Sequence, residues 1–280
     1  MSVRAHPTRT RTLQYVALAG YLAFLAFPLL WMLSTAFKTS RELTSIAPRL
    51  IPDNPTLANF GDAIERADLV LAGANSLKVA LATTVLVVAM ALPAAYGLAR
   101  FKTWLRPVTL SWILVGQVFP VILVAIPLFL ILDQFSLTDS LVGLTLVHAV
   151  YALPFGLWML QGYITAIPRD VEEAGAVDGA SRFRILVSIV LPLLRPGVVA
   201  TSLFTFISSW NEFFFALVLI QDPDKVTLPL TLGRFVGAEG QVQLGALAAA
   251  SLLATVPSLV FFMLIQRRLT SGLLSGAVKG

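Results

Sequence analysis

Few residues in this 280-residue chain are equipped for chemistry, and that scarcity narrows the function. There is no cysteine, so disulfides, thiolate zinc sites and thiol nucleophiles are excluded. Two histidines, His6 and His148, are too little material for a histidine-based metal site or a catalytic triad. No G-x-x-x-x-G-K-[ST] or G-x-G-x-x-G run is present, so no loop of backbone amides can cradle phosphates, and the chain is not expected to hydrolyse ATP. Two clusters remain. Trp210-Asn211-Glu212-Phe213-Phe214 sets a polar pair inside an apolar run. Residues 173–197, EAGAVDGASRFRILVSIVLPLLRPG, join a short polar helix, a Gly turn and an apolar stretch that ends in Pro.

The elements that must hold these clusters are hydrophobic. With 57% hydrophobic side chains, 12% charged and a mean hydropathy of +0.84, the chain is too apolar for a soluble domain, where about 25% of residues are charged. A spanning helix needs ~20 apolar residues, because hydrocarbon cannot satisfy backbone polar groups. Six stretches meet that demand, over about 13–36, 77–99, 107–132, 141–165, 197–220 and 244–266. The expected fold is an all-α integral membrane protein with six transmembrane helices. Tails at 1–12 and 269–280 flank its membrane domain of 13–268, which includes a loop at 166–196. Pro93, Pro120, Pro127, Pro154 and Pro257 fall inside spans and are expected to bend them. Small residues recur four apart at Ala91, Ala95 and Ala99 and at Ala246, Ala250 and Ala254, which suits close packing within the bundle or between subunits. Arg4, Arg9 and Arg11 before an apolar run also fit a signal peptide. The uncharged run of 24 residues exceeds the ~7 to 15 of a cleavable core, which favours an uncleaved first span.

Basic residues set the orientation. Thirteen of the twenty lie in the N-terminal tail, after the second span (Arg100, Lys102, Arg106), after the fourth (Arg169, Arg182, Arg184, Arg195) and after the sixth (Arg267, Arg268, Lys279). The opposite loops hold Lys38, Arg41, Arg49, Arg66, Lys225 and Arg234, with Lys78 at a span edge. The positive-inside rule then puts both termini and the 166–196 loop in the cytoplasm, and the net charge of +5 reads as orientation, not nucleic-acid binding. Outside, Pro48, Pro52 and Pro55 precede Leu57, Phe60, Ile64 and Ala67 at helical spacing. That pattern fits a short amphipathic helix lying on the membrane or against a partner.

Ionisable groups inside a membrane are expensive and by default suggest function. For His148 the alternatives are a neutral imidazole bonded to a neighbouring helix or a transport role. Trp210, Asn211 and Glu212 either line a solute path or tie helices together. In the loop, Asp170 and Glu173 have the D-x-x-E spacing of a capping box, Gly179 permits a left-handed stop, Ser181 can cap the next helix and Pro192 limits it. Glu173 and Asp178 offer acceptors to basic groups on a partner. Gly175 is expected to loosen the helix, at ~1 kcal/mol relative to Ala.

Glu173, Ala174, Asp178, Gly179, Ala180, Leu191 and Pro192 resemble the Glu-Ala-Ala, Asp-Gly-Ala, Leu-Pro signature of permease subunits of binding-protein-dependent ABC importers, with Gly175 in place of the second Ala. Ala95 to Phe101 and the ending Gly272 to Gly280 are similar to the maltose-type, carbohydrate-uptake branch, which also carries a Trp-Asn-acid run. The resemblance implies a six-helix permease of a bacterial cytoplasmic membrane, with Glu173, Ala174, Gly175, Asp178, Gly179 and Ala180 docking an ATPase and Leu191 and Pro192 supporting the loop. It implies a second, different permease subunit, two ATPase subunits carrying ATP and Mg, and an extracytoplasmic solute-binding protein. This chain itself would bind no cofactor. The absence of Lys or Arg from the middle of any span favours a neutral sugar. A glycerol phosphate or other polar solute is the alternative within the resemblance. An ion-coupled secondary transporter or a non-transporting scaffold is the alternative outside it.

Overall fold

The computed structural model describes residues 8–66, 68–101, 104–118, 120–236 and 242–276. Among them the one pairing of extended backbone is a single antiparallel bridge between Val236 and Val242. The helices run α1 (Thr8–Ala36), α2 (Ser40–Leu43), α3 (Ala58–Arg66), α4 (Leu69–Arg100), α5 (Leu105–Val118), α6 (Val121–Gln134), α7 (Leu141–Thr165), α8 (Asp170–Val177) and α9 (Arg182–Ile185). A π turn over Leu186–Val190 follows, then α10 (Leu191–Leu193), α11 (Arg195–Trp210), α12 (Phe214–Leu219), α13 (Leu228–Arg234) and α14 (Leu244–Gly276).

Among the described residues four helices are long and apolar enough to cross a membrane, within α1, α4, α7 and α14. The spans expected at 107–132 and 197–220 are not single helices. The first divides into α5 and α6, each of 14 residues, or about 21 Å at 1.5 Å per residue, short of a ~30 Å hydrocarbon core. Pro120 stands at the break as the N-cap of α6; having no N–H, it cannot continue the helical ladder. The second stops at Trp210 and resumes at Phe214, and the axis from Arg182–Leu193 to Arg195–Trp210 bends by 77°. At the far end α14 continues through Gly276, so the expected tail at 269–280 begins as helix. His6, Arg4, Lys102, Lys279 and the last four residues lie outside the described residues.

The chain divides into two compact units. In the unit of Met1–Leu69 with Leu232–Ala254, α3 sits where the amphipathic spacing places a helix. It packs on its own chain: the Asn59 side chain donates to the carbonyls of Ala36 and Lys38 at 2.9 and 2.8 Å, and Phe60 meets Phe37 at 5.2 Å between ring centres. The bond to Ala36 satisfies a carbonyl in the last turn of α1 that has no partner within the helix, and the bond to Lys38 holds the residues just past it.

In the unit of Val70–Thr231 with Thr255–Gly280, α7 packs most extensively on α11 and also meets α4. Ala91, Ala95 and Ala99 are buried in one cluster with Leu157, Leu160 and Ile164. This assigns the first small-residue stripe to packing within the chain. Gly156 belongs to the same crossing, where an added Cβ would lie 2.9 Å from Val87. At its other end α4 is pinned by Asn75, whose side chain donates to the carbonyls of Asp224 and Val226 at 2.8 and 3.1 Å. Next to it the Ser76 hydroxyl accepts from the amide of Leu228 at 2.8 Å.

Candidate functional site

The signature helix α8 is built differently at its start from what the spacing predicts. The N-cap is Arg169, in helical conformation with no side-chain cap bond, and Asp170 lies inside the first turn, so the Asp170–Glu173 capping box does not form. Asp170, Glu172 and Glu173 all fall in that first turn, where negative charge opposes the positive end of the helix dipole. The end of α8 does follow the sequence reading. Gly179 takes φ +81°, its amide donates to the carbonyl of Ala176, and the amide of Ala180 reaches back to Gly175, both at 3.0 Å. This paired return is the Schellman arrangement that the left-handed residue makes available. Ser181 then caps α9, accepting from the amide of Arg184 at 3.3 Å.

Gly175 does not loosen this helix. It is buried, and a Cβ there would lie 2.5 Å from Cδ1 of Ile189 and 3.6 Å from Cγ1 of Ile185. Its missing side chain admits the π turn and α9 against α8. Leu191 and Pro192 form α10 with Leu193, just after the π turn, and Pro192 has no amide to return to the carbonyl four residues earlier.

Successive residues on a helix point about 100° apart, so Glu172 and Glu173 face different ways. Glu173, Ala174, Asp178 and Gly179 are exposed and Ala180 is half-buried. Glu172 turns inward onto α4: Arg100 Nε donates to its Oε1 at 2.6 Å and the Tyr96 hydroxyl donates to its Oε2 at 2.8 Å. The Arg100 and Glu172 side chains are only 8% and 11% exposed. Arg100 also donates to the carbonyl of Ile167 at 2.9 Å, and the Arg182 guanidinium lies 4.9 Å from the ring centre of Phe101. The sequence reading passed over Glu172; two adjacent acids about 100° apart on a short helix can face different surroundings, and that was the signal available.

The second cluster is brought together with His148. Nε2 of His148 meets Oε2 of Glu212 at 3.1 Å and Nδ1 meets the Ser209 hydroxyl at 2.7 Å. The Glu212 carboxylate also accepts from the amides of Phe215 and Ala216 at 2.8 and 3.3 Å, so it satisfies the first turn of α12 across the break in the chain. Glu212 and His148 therefore tie α7 to the α11–α12 junction. Trp210 is buried and stacks on Phe206 with ring centres 5.9 Å apart, whereas Asn211 is exposed and donates to the carbonyl of Ile207 at 2.8 Å. Beside this junction a cavity of about 440 Å³ opens between α5, α6, α7 and α12, with Trp112, Val121, Leu128, Tyr151 and Phe215 in its wall.

A third polar group lies between the spans. The carboxylate of Asp139 accepts from the amides of Gln221 and Asp222 at 2.9 and 3.0 Å, and Lys225 stands 3.5 Å from Asp139 and 3.0 Å from Asp222. The two amides, with Lys225 behind them, hold the Asp139 carboxyl below the usual carboxylate range. The hydrogen bond to Asp222, then the nearby Asp139 charge, raises the Lys225 ammonium.

Residues 87–275 match the model of the binding-protein-dependent transport system inner membrane component family. A putative ABC transporter permease protein from Streptomyces antibioticus is 54% identical over 229 residues, covering 82% of this chain and all of that one. The permease protein of a diacetylchitobiose uptake system from Streptomyces coelicolor is 36% identical, covering 91% and 92%. Among solved structures, a bacterial ABC transporter involved in the import of the acidic polysaccharide alginate superposes with a TM-score of 0.80. It is 20% identical and covers 95% of this chain and 99% of that one.

Proposed function

The chain belongs to the family of binding-protein-dependent transport system inner membrane components, and from this we propose the division of labour in the assembly it serves. It is the membrane permease of an ABC importer of sugars, a transport subunit and not an enzyme. Two ATPase subunits, which bind ATP and Mg, dock on α8 from the cytoplasm. A second permease subunit completes the pathway, and an extracytoplasmic protein delivers the solute. Both chain termini are cytoplasmic, on the side of the basic residues.

The observation that carries the docking role is the surface of the knob around Gly179. Val177 and Phe183 are 87% and 75% exposed, on a loop whose basic residues and free acids keep it in water. Apolar side chains in that setting mark a protein interface. Glu173, Ala174, Asp178, Gly179 and Ala180 frame it, Gly175 lies buried beneath it where α9 and the π turn pack, and Leu191 and Pro192 follow in α10. Solute movement involves the helix break at Trp210, Asn211 and Glu212, where Asn211 offers the exposed side chain.

The test uses the complete transporter in proteoliposomes. Glu173→Lys reverses a charge at the interface, where loss of a paired contact costs ~2 to 5 kcal/mol. The variant is expected to insert normally, to retain less ATPase subunit on purification and to lose uptake. Wild-type retention together with wild-type uptake would overturn the docking assignment. Labelling of single cysteines at Thr138 from outside and at Ser275 from inside checks the orientation.

A further inference from the structure

We propose that Tyr96, Arg100 and Glu172 form a clamp that makes α8 and the cytoplasmic end of α4 one rigid body, so that α4 carries ATPase motion across the membrane. The proposal rests on α8 being the docking helix and goes beyond it by naming the route that the motion takes.

The covalent connections of α8 are poor transmitters. α7 ends at Thr165, and residues 166–169, with Pro168 among them, form a non-helical link. On the other side Gly179 reverses the chain at φ +81°, and beyond it the axis bends by 77° before α11. A push on α8 that travelled only along the backbone would have to change direction at both ends of the helix.

The route through contacts is stiffer. Tyr96 and Arg100 are four residues apart and so share one face of α4, and together they occupy both oxygens of Glu172. The geometry is charge-assisted and largely shielded from water, which makes it strong and directional. Arg100 holds the link before α8 through the carbonyl of Ile167, and Arg182, after the turn, stacks on Phe101. These contacts fall on the last turns of α4 and on Phe101 just after it, and they reach residues before, on and after α8.

At its opposite end α4 is bonded again. Asn75 and Ser76, both buried, hold the 224–228 segment by three hydrogen bonds. The 25 residues between Asn75 and Arg100 span about 38 Å, enough to cross the bilayer. α4 is thus a strut with a built junction at each end, joining the signature helix to the segment that follows α12. A two-state movement at one face has a continuous packed element through which to bias the other.

Glu172→Gln and Arg100→Gln in the assembled, reconstituted transporter test the clamp, with uptake and ATP hydrolysis measured on one preparation. Both variants are expected to keep the ATPase subunits at wild-type stoichiometry, while solute moved per ATP hydrolysed falls at least about tenfold, the equivalent of ~1.4 kcal/mol. The exchange pair Arg100→Glu with Glu172→Arg is expected to recover part of that ratio, which a general loss of stability would not show. Wild-type uptake per ATP in both single variants would overturn the proposal. So would loss of the ATPase subunits from Glu172→Gln, because Glu172 would then be a docking residue. Failure of the docking reading appears separately, as retention of those subunits by Glu173→Lys. Should the variants not fold, spin labels at Asp170 and Met90 in the otherwise native complex decide. Their separation is expected to stay fixed between the resting and ATP-trapped states, and a change beyond about 2 Å, the scale of helix shifts in switching proteins, overturns the rigid-body claim.

Discussion

Replacing Gly197 with alanine tests whether the crossing of α7 and α11 is as close as the structure shows. A Cβ at 197 would lie 2.6 Å from Cγ of Tyr163 and 2.9 Å from both its Cβ and Cδ2. Carbon atoms prefer a separation of about 3.5–4.0 Å, so roughly 1 Å is missing. Rotating the Tyr163 ring cannot recover it, because the Tyr163 Cβ is fixed to the backbone of α7. The helices must separate instead. Overpacking of this kind costs about 1–3 kcal/mol, offset by at most ~1 kcal/mol from the better helix propensity of Ala. Gly162→Ala, on α7 with nothing within 4 Å of the added Cβ, supplies the propensity gain without the clash. The expected difference between the two variants is then the overpacking cost itself, about 1–3 kcal/mol. For a chain of this size that corresponds to a midpoint roughly 2–12 °C lower for Gly197→Ala. Thermal unfolding of the purified permease in detergent measures it. Equal midpoints for the two variants would refute the close crossing.

Gly179→Val forces a β-branched residue toward φ +81°, a conformation costing on the order of 1–3 kcal/mol; membrane insertion is expected to persist and uptake to fall, and unchanged uptake would remove the turn from the mechanism. Asn211→Ala is expected to alter uptake while assembly persists, whereas Glu212→Ala, which strips two amides and His148 of their acceptor, is expected to destabilise the permease by about 1–3 kcal/mol; a stable Glu212→Ala would refute the tie. Between the spans, the lowered Asp139 pKa contributes stability that is complete above its ordinary value of 3.8 and is lost as pH falls through the lowered one, while the raised Lys225 contributes below 10.5 and loses its share as pH rises past it. Hydrogen exchange at the Gln221 and Asp222 amides, corrected for intrinsic rates, is therefore expected to be level from about pH 5 to 9 and to lose protection in acid; equal protection in Asp139→Asn at neutral pH would show that the carboxylate does not hold them.

The membrane class was legible because hydropathy is a bulk property, and α1, α4, α7 and α14 emerge from it directly. The breaks in the third and fifth stretches were not. A window of apolar residues reads the same whether its helix is continuous or interrupted, and interruption is decided by who satisfies the freed backbone groups. At Pro120 the missing amide gives a local sign, shared with Pro93, Pro127, Pro154 and Pro257, of which the last four lie inside unbroken helices. At Asn211 no proline marks the break; Glu212 accepts the amides of α12 there, and His148 reaches the same carboxylate from α7. The sequence showed two ionisable residues in apolar stretches 64 positions apart, and only the fold makes them one group.

The signature loop divides along the same line. Its C-terminal half was readable because a left-handed turn has a residue-type signature, and Gly179 supplies it. Its N-terminal half misled because D-x-x-E spacing marks a capping box only if the first acid stands outside the helix, and Arg169 starts α8 one residue earlier. With Arg169 as the N-cap, Glu172 is the third helical residue, and its carboxylate bonds α4 rather than the start of its own helix. There Tyr96 and Arg100, themselves one helical turn apart, are placed to receive it. The exposed acid of the adjacent pair stays in water, and the covered one is bonded to the end of α4.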